Sequence, residues 1–77
     1  MAANTPQGEQ HLRWCADRAI RELDAGSARN ALASVMSDFG KDSTTAGISK
    51  LQIVAIVGPA VDKGRNELER AIMGFNV

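Results

Sequence analysis

Apolar residues recur along this chain at intervals of three and four, the spacing that places side chains on one face of an α-helix. Between Glu9 and Ala25 they form one stripe: Leu12, Cys15, Ala16, Ala19, Ile20 and Leu23. Gly26 then supplies a stop signal. This pattern predicts an amphipathic first helix that buries the stripe.

A second amphipathic helix is predicted from Ser27 to Phe39. Ser27 is a good N-cap residue and Gly40 a terminator. The apolar stripe comprises Ala28, Ala31, Leu32, Val35, Met36 and Phe39. Because about one residue separates this helix from the first, the two should form a tight hairpin.

The segment from Ile48 to Val57 favours a strand by its β-branched residues, but a lone strand has no partner among helical neighbours. We therefore expect a buried helix that ends at Gly58 and Pro59. The preceding stretch, 41–47, is polar and predicts a loop. It offers three candidate caps for the third helix: Ser43, Thr44 and Thr45.

A fourth helix is predicted with Asp62 as its cap and a short apolar stripe: Leu68, Ala71, Ile72 and Phe75. Its polar side should carry an ion pair between Arg65 and Glu69. Residues 1–8 are poor in apolar side chains and predict a flexible leader, which leaves residues 9–77 as a single helical domain. The expected fold is all-α, a compact bundle of three to four short amphipathic helices.

Composition narrows the classes of partner. Nine Lys and Arg balance nine Asp and Glu in 77 residues, so the chain lacks the overall field that draws proteins onto nucleic acids, and nucleic-acid binding is not expected. The apolar run from Leu51 to Val61 is shorter than the roughly 20 residues that span a bilayer. One cysteine and the absence of a secretory signal favour the cytoplasm.

Catalysis and metal binding receive little support. His11 precedes Cys15 by one helical turn, but Cys15 lies on the apolar stripe and no third residue is evident to orient the histidine. One histidine and one cysteine are too few ligands to indicate a zinc site. No phosphate-binding glycine motif occurs. We expect a non-enzymatic protein without a cofactor or a metal site.

Trp14 is the most informative residue, since its helical position is roughly opposite the apolar stripe, among polar side chains. One interpretation is that a later helix or the leader covers it. The other is a partner-binding site formed by Trp14 with Arg18, Arg21 and His11, because Trp and Arg are enriched at binding hot spots. Asp17 and Glu22 interleave with the arginines and weaken their field.

Several strings resemble a family of small uncharacterised proteins encoded by tailed bacteriophages and their prophages. They are HLxWCxxRA from His11, AxASxxSD from Ala31, and the closing GFN at 74–76. The chain departs from the family pattern after Lys41, where a His-Pro pair often follows. The resemblance implies expression in the cytoplasm of a bacterial host and transfers no activity.

Two classes of function follow from these residues. The first is a protein-binding accessory factor that modulates a host or phage protein. The alternatives are a small oligomeric binder of nucleotides, acting as a ligand sponge, and a minor virion structural protein. In each case, we expect a chain of this size with a small core to self-associate, as a homodimer or as a higher homo-oligomer.

Overall fold

The computed structural model describes residues 6–75 and contains four helices in these residues. They are α1 (Pro6–Asp24), α2 (Ala28–Phe39), α3 (Lys50–Val61) and α4 (Arg65–Met73). The compact all-α bundle predicted from periodicity is confirmed. Residues 1–5 and 76–77 lie outside the described part of the chain, and they include most of the expected leader and Asn76, the last residue of the GFN ending.

Helix α1 begins earlier than its apolar stripe indicates. Pro6 is its first residue, a position where the missing N–H of proline costs nothing and its fixed φ favours the helix. Three residues assigned to the leader therefore belong to α1, and Gly8 among them is buried. Residues 6–8 are therefore helical, although the helical domain was predicted to start at residue 9.

The α1–α2 hairpin forms as predicted. Gly26 adopts a φ of 99°, a left-handed conformation that favours glycine, and its N–H donates to the carbonyl of Leu23. Ser27 is the N-cap of α2, where its Oγ accepts a hydrogen bond from the N–H of Asn30 at 3.0 Å. Gly40 is the C-cap.

The polar loop does not cap α3 as expected. Ser49 does so, accepting from the N–H of Gln52 at 3.3 Å. Thr45 is instead buried and donates from Oγ1 to the carbonyl of Phe39 at 2.7 Å, which satisfies an orphan acceptor at the end of α2. Thr44 donates to Asp42 from both its N–H and its hydroxyl.

Helix α3 confirms the helical interpretation of the β-branched segment, with two differences. The helix continues through Gly58 and Pro59 to Val61. Pro59 has no N–H to donate to the carbonyl of Ala55, so one hydrogen bond of the helix is lost. Ala55 is exposed, so water can donate to that carbonyl instead. The expectation of a buried helix is wrong for the outward side, where Leu51 is 83% exposed.

Helix α4 also starts differently from the prediction. Asp62 is the C-cap of α3, and Gly64 occupies the N-cap of α4 without a side-chain hydrogen bond. The expected Arg65–Glu69 pair is absent from the described residues. Arg65 pairs with Asp24 and Glu69 with Arg13, because α4 packs antiparallel to α1 and offers interhelical partners.

The core lies between all four helices. Its largest fully buried apolar side chains are Phe39, Leu12, Ile53, Leu68 and Ile72. At one end of the bundle, Phe39 meets Phe75 edge to face with ring centroids 5.2 Å apart. Helices α1 and α3 each pack against α2 and α4. The bundle is therefore a ring in which α1 and α3 lie diagonally opposite one another.

Candidate binding site

Trp14 is held at the surface of α1 by the register of that helix. Leu12, Cys15 and Ala16 are fully buried, and a residue two positions after Leu12 is rotated by about 200° from it. Trp14 accordingly points away from the core and remains 41% exposed. Among residues 6–75, no helix covers Trp14 completely, and the indole is half-exposed. Most of the leader, the other cover considered, lies outside the described residues.

Three side chains surround the indole. His11, one turn earlier, stacks on it with ring centroids 5.8 Å apart and an angle of 24° between the planes. The guanidinium carbon of Arg18, one turn later, lies 4.7 Å from the ring centroid. The Nζ of Lys41, which follows α2, lies 5.5 Å from it. We call these residues, together with Asp38, the Trp14 cluster.

The buried carboxylate of Asp38 binds both cations, Arg18 and Lys41. Its carboxylate is 1% exposed and accepts from the Nε of Arg18 at 2.8 Å and from the Nζ of Lys41 at 3.0 Å. The hydroxyl of Ser34 also donates to it, at 3.2 Å. Because one buried carboxylate holds both cations that touch the indole, the arrangement is fixed by hydrogen bonds across α1 and α2.

The charge on Asp38 is maintained despite its position. Burial opposes ionisation of this carboxyl, but the hydrogen bonds from Lys41 and Arg18 and their positive charges outweigh the effect. The pKa of Asp38 therefore lies below its ordinary value. At neutral pH, the cluster contains a buried anion and two cations whose outer parts reach solvent.

Arg18 retains donors for a partner. Its Nε is used by Asp38, whereas its terminal Nη groups make no hydrogen bond or ion pair to any residue between 6 and 75. The side chain is 42% exposed and that of Lys41 is 50% exposed. A planar guanidinium with a free outer edge is suited to a carboxylate or a phosphate.

The structure brings together three of the four residues expected at this site. Arg21 is exposed but lies on the α4 side of α1, where it lines a shallow depression with Asp17, Ile20, Asp24, Arg65 and Glu69. It makes no ring contact or ion pair within residues 6–75. Arg21 is therefore not part of the Trp14 cluster.

Two residues of the Trp14 cluster, Lys41 and Asp38, were not predicted from the sequence. Lys41 is brought to Trp14 only by the packing of α2 on α1, so no local spacing indicates it. The sequence did contain a signal for Asp38, because this residue lies on the buried stripe of α2 with Ala31 and Val35. An ionisable residue at a buried helix position requires a partner for its charge.

The side chains of His11 and Cys15 lie close together, but Cys15 is a protonated thiol and not a thiolate. The Nε2 of His11 lies 3.6 Å from the Sγ of Cys15. Burial raises the pKa of Cys15 to about 12, and the negative charge of Asp38 adds to the effect. A thiol of that pKa is protonated at neutral pH and is therefore a poor nucleophile. Among residues 6–75, no group of three His, Cys, Asp or Glu side chains is placed to hold a metal ion.

Comparison of the chain with protein-family models, curated proteins and solved structures gave no match. Of the helices that the structure describes, none combines the length and apolar character needed to cross a membrane.

Proposed function

We propose that this chain is a small, non-enzymatic accessory factor that binds an acidic segment of a partner protein through the Trp14 cluster and modulates that protein. The resemblance to phage-encoded proteins makes the partner a host or phage protein in the bacterial cytoplasm. The observation that carries the proposal is a half-exposed tryptophan in contact with an arginine whose Nη donors bind no residue between 6 and 75.

The chemistry of the cluster favours a ligand with two neighbouring features. The indole of Trp14 offers an apolar surface for an aliphatic or aromatic side chain. Beside it, the outer edge of Arg18 can donate two parallel hydrogen bonds to a carboxylate, with Lys41 as a second cation. A segment with Asp or Glu next to a large apolar residue matches this pair of surfaces.

The cluster is also preorganised. Asp38 already holds Arg18 and Lys41, and His11 stacks on the indole. A partner thus meets side chains that have lost much of their rotamer freedom before binding, which lowers the entropic cost of association. Asp38 is buried, whereas the side chains of Arg18 and Lys41 that it binds are partly exposed and can reach a ligand.

Capture of partners from a lysate of the bacterial host, followed by mass spectrometry, tests this proposal with matched variants. Trp14→Ala and Arg18→Gln should lose a protein that the wild type retains. Arg29→Gln removes an exposed arginine of α2 that makes no ion pair within the described chain, and it should retain that protein. Circular dichroism establishes that each variant is folded.

A partner bound equally by wild type, Trp14→Ala and Arg18→Gln would refute the assignment of the site. The alternative of a nucleotide sponge is separated by thermal unfolding with a panel of nucleotides, because a ligand that binds the native state raises Tm by mass action. The proposal predicts no nucleotide-dependent shift; a shift that Arg18→Gln abolishes would assign the cluster to phosphate instead.

A further inference from the structure

His11 is the one member of the Trp14 cluster that belongs to a residue type titrating near neutral pH. Its ring stacks on the indole of Trp14, and its Nε2 lies 3.6 Å from the Sγ of Cys15. Histidine is the side chain whose charge ordinarily changes between about pH 5 and 8. The chain contains a single histidine. A group that can gain a proton under mild conditions thus lies in direct contact with the aromatic centre of the site.

The charged groups around His11 balance one another in the free protein. The principal charges that act on the adjoining Cys15 thiol are those of Asp38, Arg18, Asp42 and Lys41. Asp42 also interacts electrostatically with His11 itself. Two carboxylates therefore face two cations, all of them from α1, α2 and the loop that follows α2. A carboxylate supplied by a partner makes this environment negative.

Helix α4, which also packs against α1, directs its charges elsewhere. Its Glu69 pairs with Arg13 and its Arg65 with Asp24. Arg13 and Asp24 are rotated around α1 by about 200–220° from His11. These two pairs therefore form on the opposite side of α1 and do not face the imidazole.

The neighbours of His11 keep their charge state between about pH 5.5 and pH 8. The pKa of Asp38 lies below the ordinary carboxyl value, and hydrogen bonds from the N–H and the hydroxyl of Thr44 lower the pKa of Asp42. Burial raises the pKa of Cys15 to about 12. Lysine and arginine titrate well above this range. Proton uptake by the site in this range therefore belongs to His11.

We propose that His11 takes up a proton when an acidic segment binds to the Trp14 cluster, so that mild acidification strengthens binding. This inference rests on the proposed function and adds its regulation. His11 and Arg18 contact the same indole, which places their charges within about 10 Å, close to one Debye length at 0.1 M salt. A carboxylate on the outer edge of Arg18 therefore stabilises an imidazolium at His11, and the imidazolium attracts the acid in return.

The coupling has a defined sign. Because an acidic ligand favours the protonated ring, the titration midpoint of His11 should be higher in the complex than in the free protein. The gain in affinity is complete below the midpoint of the free protein, and it is lost as pH rises through the midpoint of the complex. An interaction the size of one exposed ion pair corresponds to about a two- to fivefold change in Kd.

A blocked five-residue peptide tests the coupling, with one glutamate between two leucines and a glycine at each end. Fluorescence of Trp14, the single tryptophan in the chain, measures its Kd. We expect the Kd to be about two- to fivefold lower near pH 5.5 than near pH 8. The ring resonances of His11 in NMR spectra give its titration midpoint, which saturating peptide should raise by about 0.3–0.7 pH unit.

Two controls isolate the charges involved. The same peptide with glutamine in place of glutamate should leave the midpoint of His11 where it is in the free protein. His11→Gln, with its fold checked by circular dichroism, should bind the glutamate peptide with the same Kd at both pH values. The wild-type midpoint decides the question even if His11→Gln fails to fold.

The outcomes separate this inference from the proposed function. A Kd that is equal at the two pH values, with an unchanged midpoint of His11, would overturn the proton coupling and leave the proposed function in place. A pH dependence that persists in folded His11→Gln would also overturn it, because another group would then carry the proton. A glutamate peptide that binds at neither pH would overturn the proposed function and this inference with it.

Discussion

Trp14 and Arg18, one turn apart on α1, are in cation–π contact, with the guanidinium carbon 4.7 Å from the ring centroid. The same guanidinium is tied from its other side to a buried carboxylate at 2.8 Å. Arg18 thus has a fixed position, a polar outer edge and an aromatic neighbour.

Replacement of Asp38 by asparagine should destabilise the protein. The change keeps the shape of the side chain but removes the charge to which Arg18 and Lys41 donate. We expect the free energy of unfolding to fall by about 1.5–3 kcal/mol, the range for hydrogen bonds that involve charged groups. Urea unfolding followed by circular dichroism measures this change in free energy.

Asp17→Asn is the control. Asp17 is exposed and has no ion pair in the described chain, so the change should alter the free energy of unfolding by no more than about 0.5 kcal/mol. Equal effects of the two variants would contradict the role of Asp38.

The contribution of Asp38 should depend on pH in a defined direction. The pKa of this carboxyl is lowered in the folded protein, so its stabilisation is present above the ordinary carboxyl pKa of about 3.9 and is lost as pH falls through the lower folded value. The stability difference between wild type and Asp38→Asn should be constant at neutral and mildly acidic pH and should narrow below about pH 4. Urea unfolding at a series of pH values tests this. A difference that narrows near the titration range of histidine would assign the effect to another group.

Cys15 should be inert in the native protein. Its side chain is fully buried, and burial raises the pKa of the thiol to about 12. Labelling by a thiol-specific disulfide reagent at neutral pH should be slower in native protein than in urea by about a thousandfold or more, because it requires opening of the fold. Absorbance of the released thiolate follows the reaction. Rapid labelling of folded protein would support the His11–Cys15 pair as a reactive site after all.

Gly64 should be difficult to replace. Its φ of 110° and ψ of 177° fall in a region that is essentially restricted to glycine. Gly64→Ala should therefore lower the free energy of unfolding by about 1–3 kcal/mol. Gly47→Ala is the matched control, because Gly47 has no positive φ and a Cβ there meets nothing within 4 Å. Thermal unfolding of the two variants compares them, and equal Tm values would show that the α3–α4 connection tolerates a side chain.

The fold was predictable where local signals agreed. In α2, the N-cap Ser27, the apolar stripe and the terminating Gly40 all indicated the same boundaries, and the structure confirms them. The end of α3 was not predictable from Gly58 and Pro59, because the cost of a proline depends on whether the freed carbonyl is exposed. That exposure is a property of the tertiary structure.

The candidate site was predictable only in its local part. His11, Trp14 and Arg18 are neighbours on one helix, so their spacing alone brings them together. Arg21 has a similar position on the helical wheel, but the packing of α4 places it beside a separate depression. Lys41 and Asp38 come from the end of α2 and depend on the α1–α2 packing, which no spacing within one helix specifies.

Selection from a random peptide library on immobilised wild-type protein, with Arg18→Gln and Trp14→Ala as parallel baits, tests the Trp14 cluster most directly. Peptides retained by the wild type should be enriched in Asp or Glu next to a large apolar residue and should be lost from both variants. Retained peptides that lack acidic residues, or that bind Arg18→Gln as well as the wild type, would contradict the assignment of the Trp14 cluster as a site for acidic partner segments.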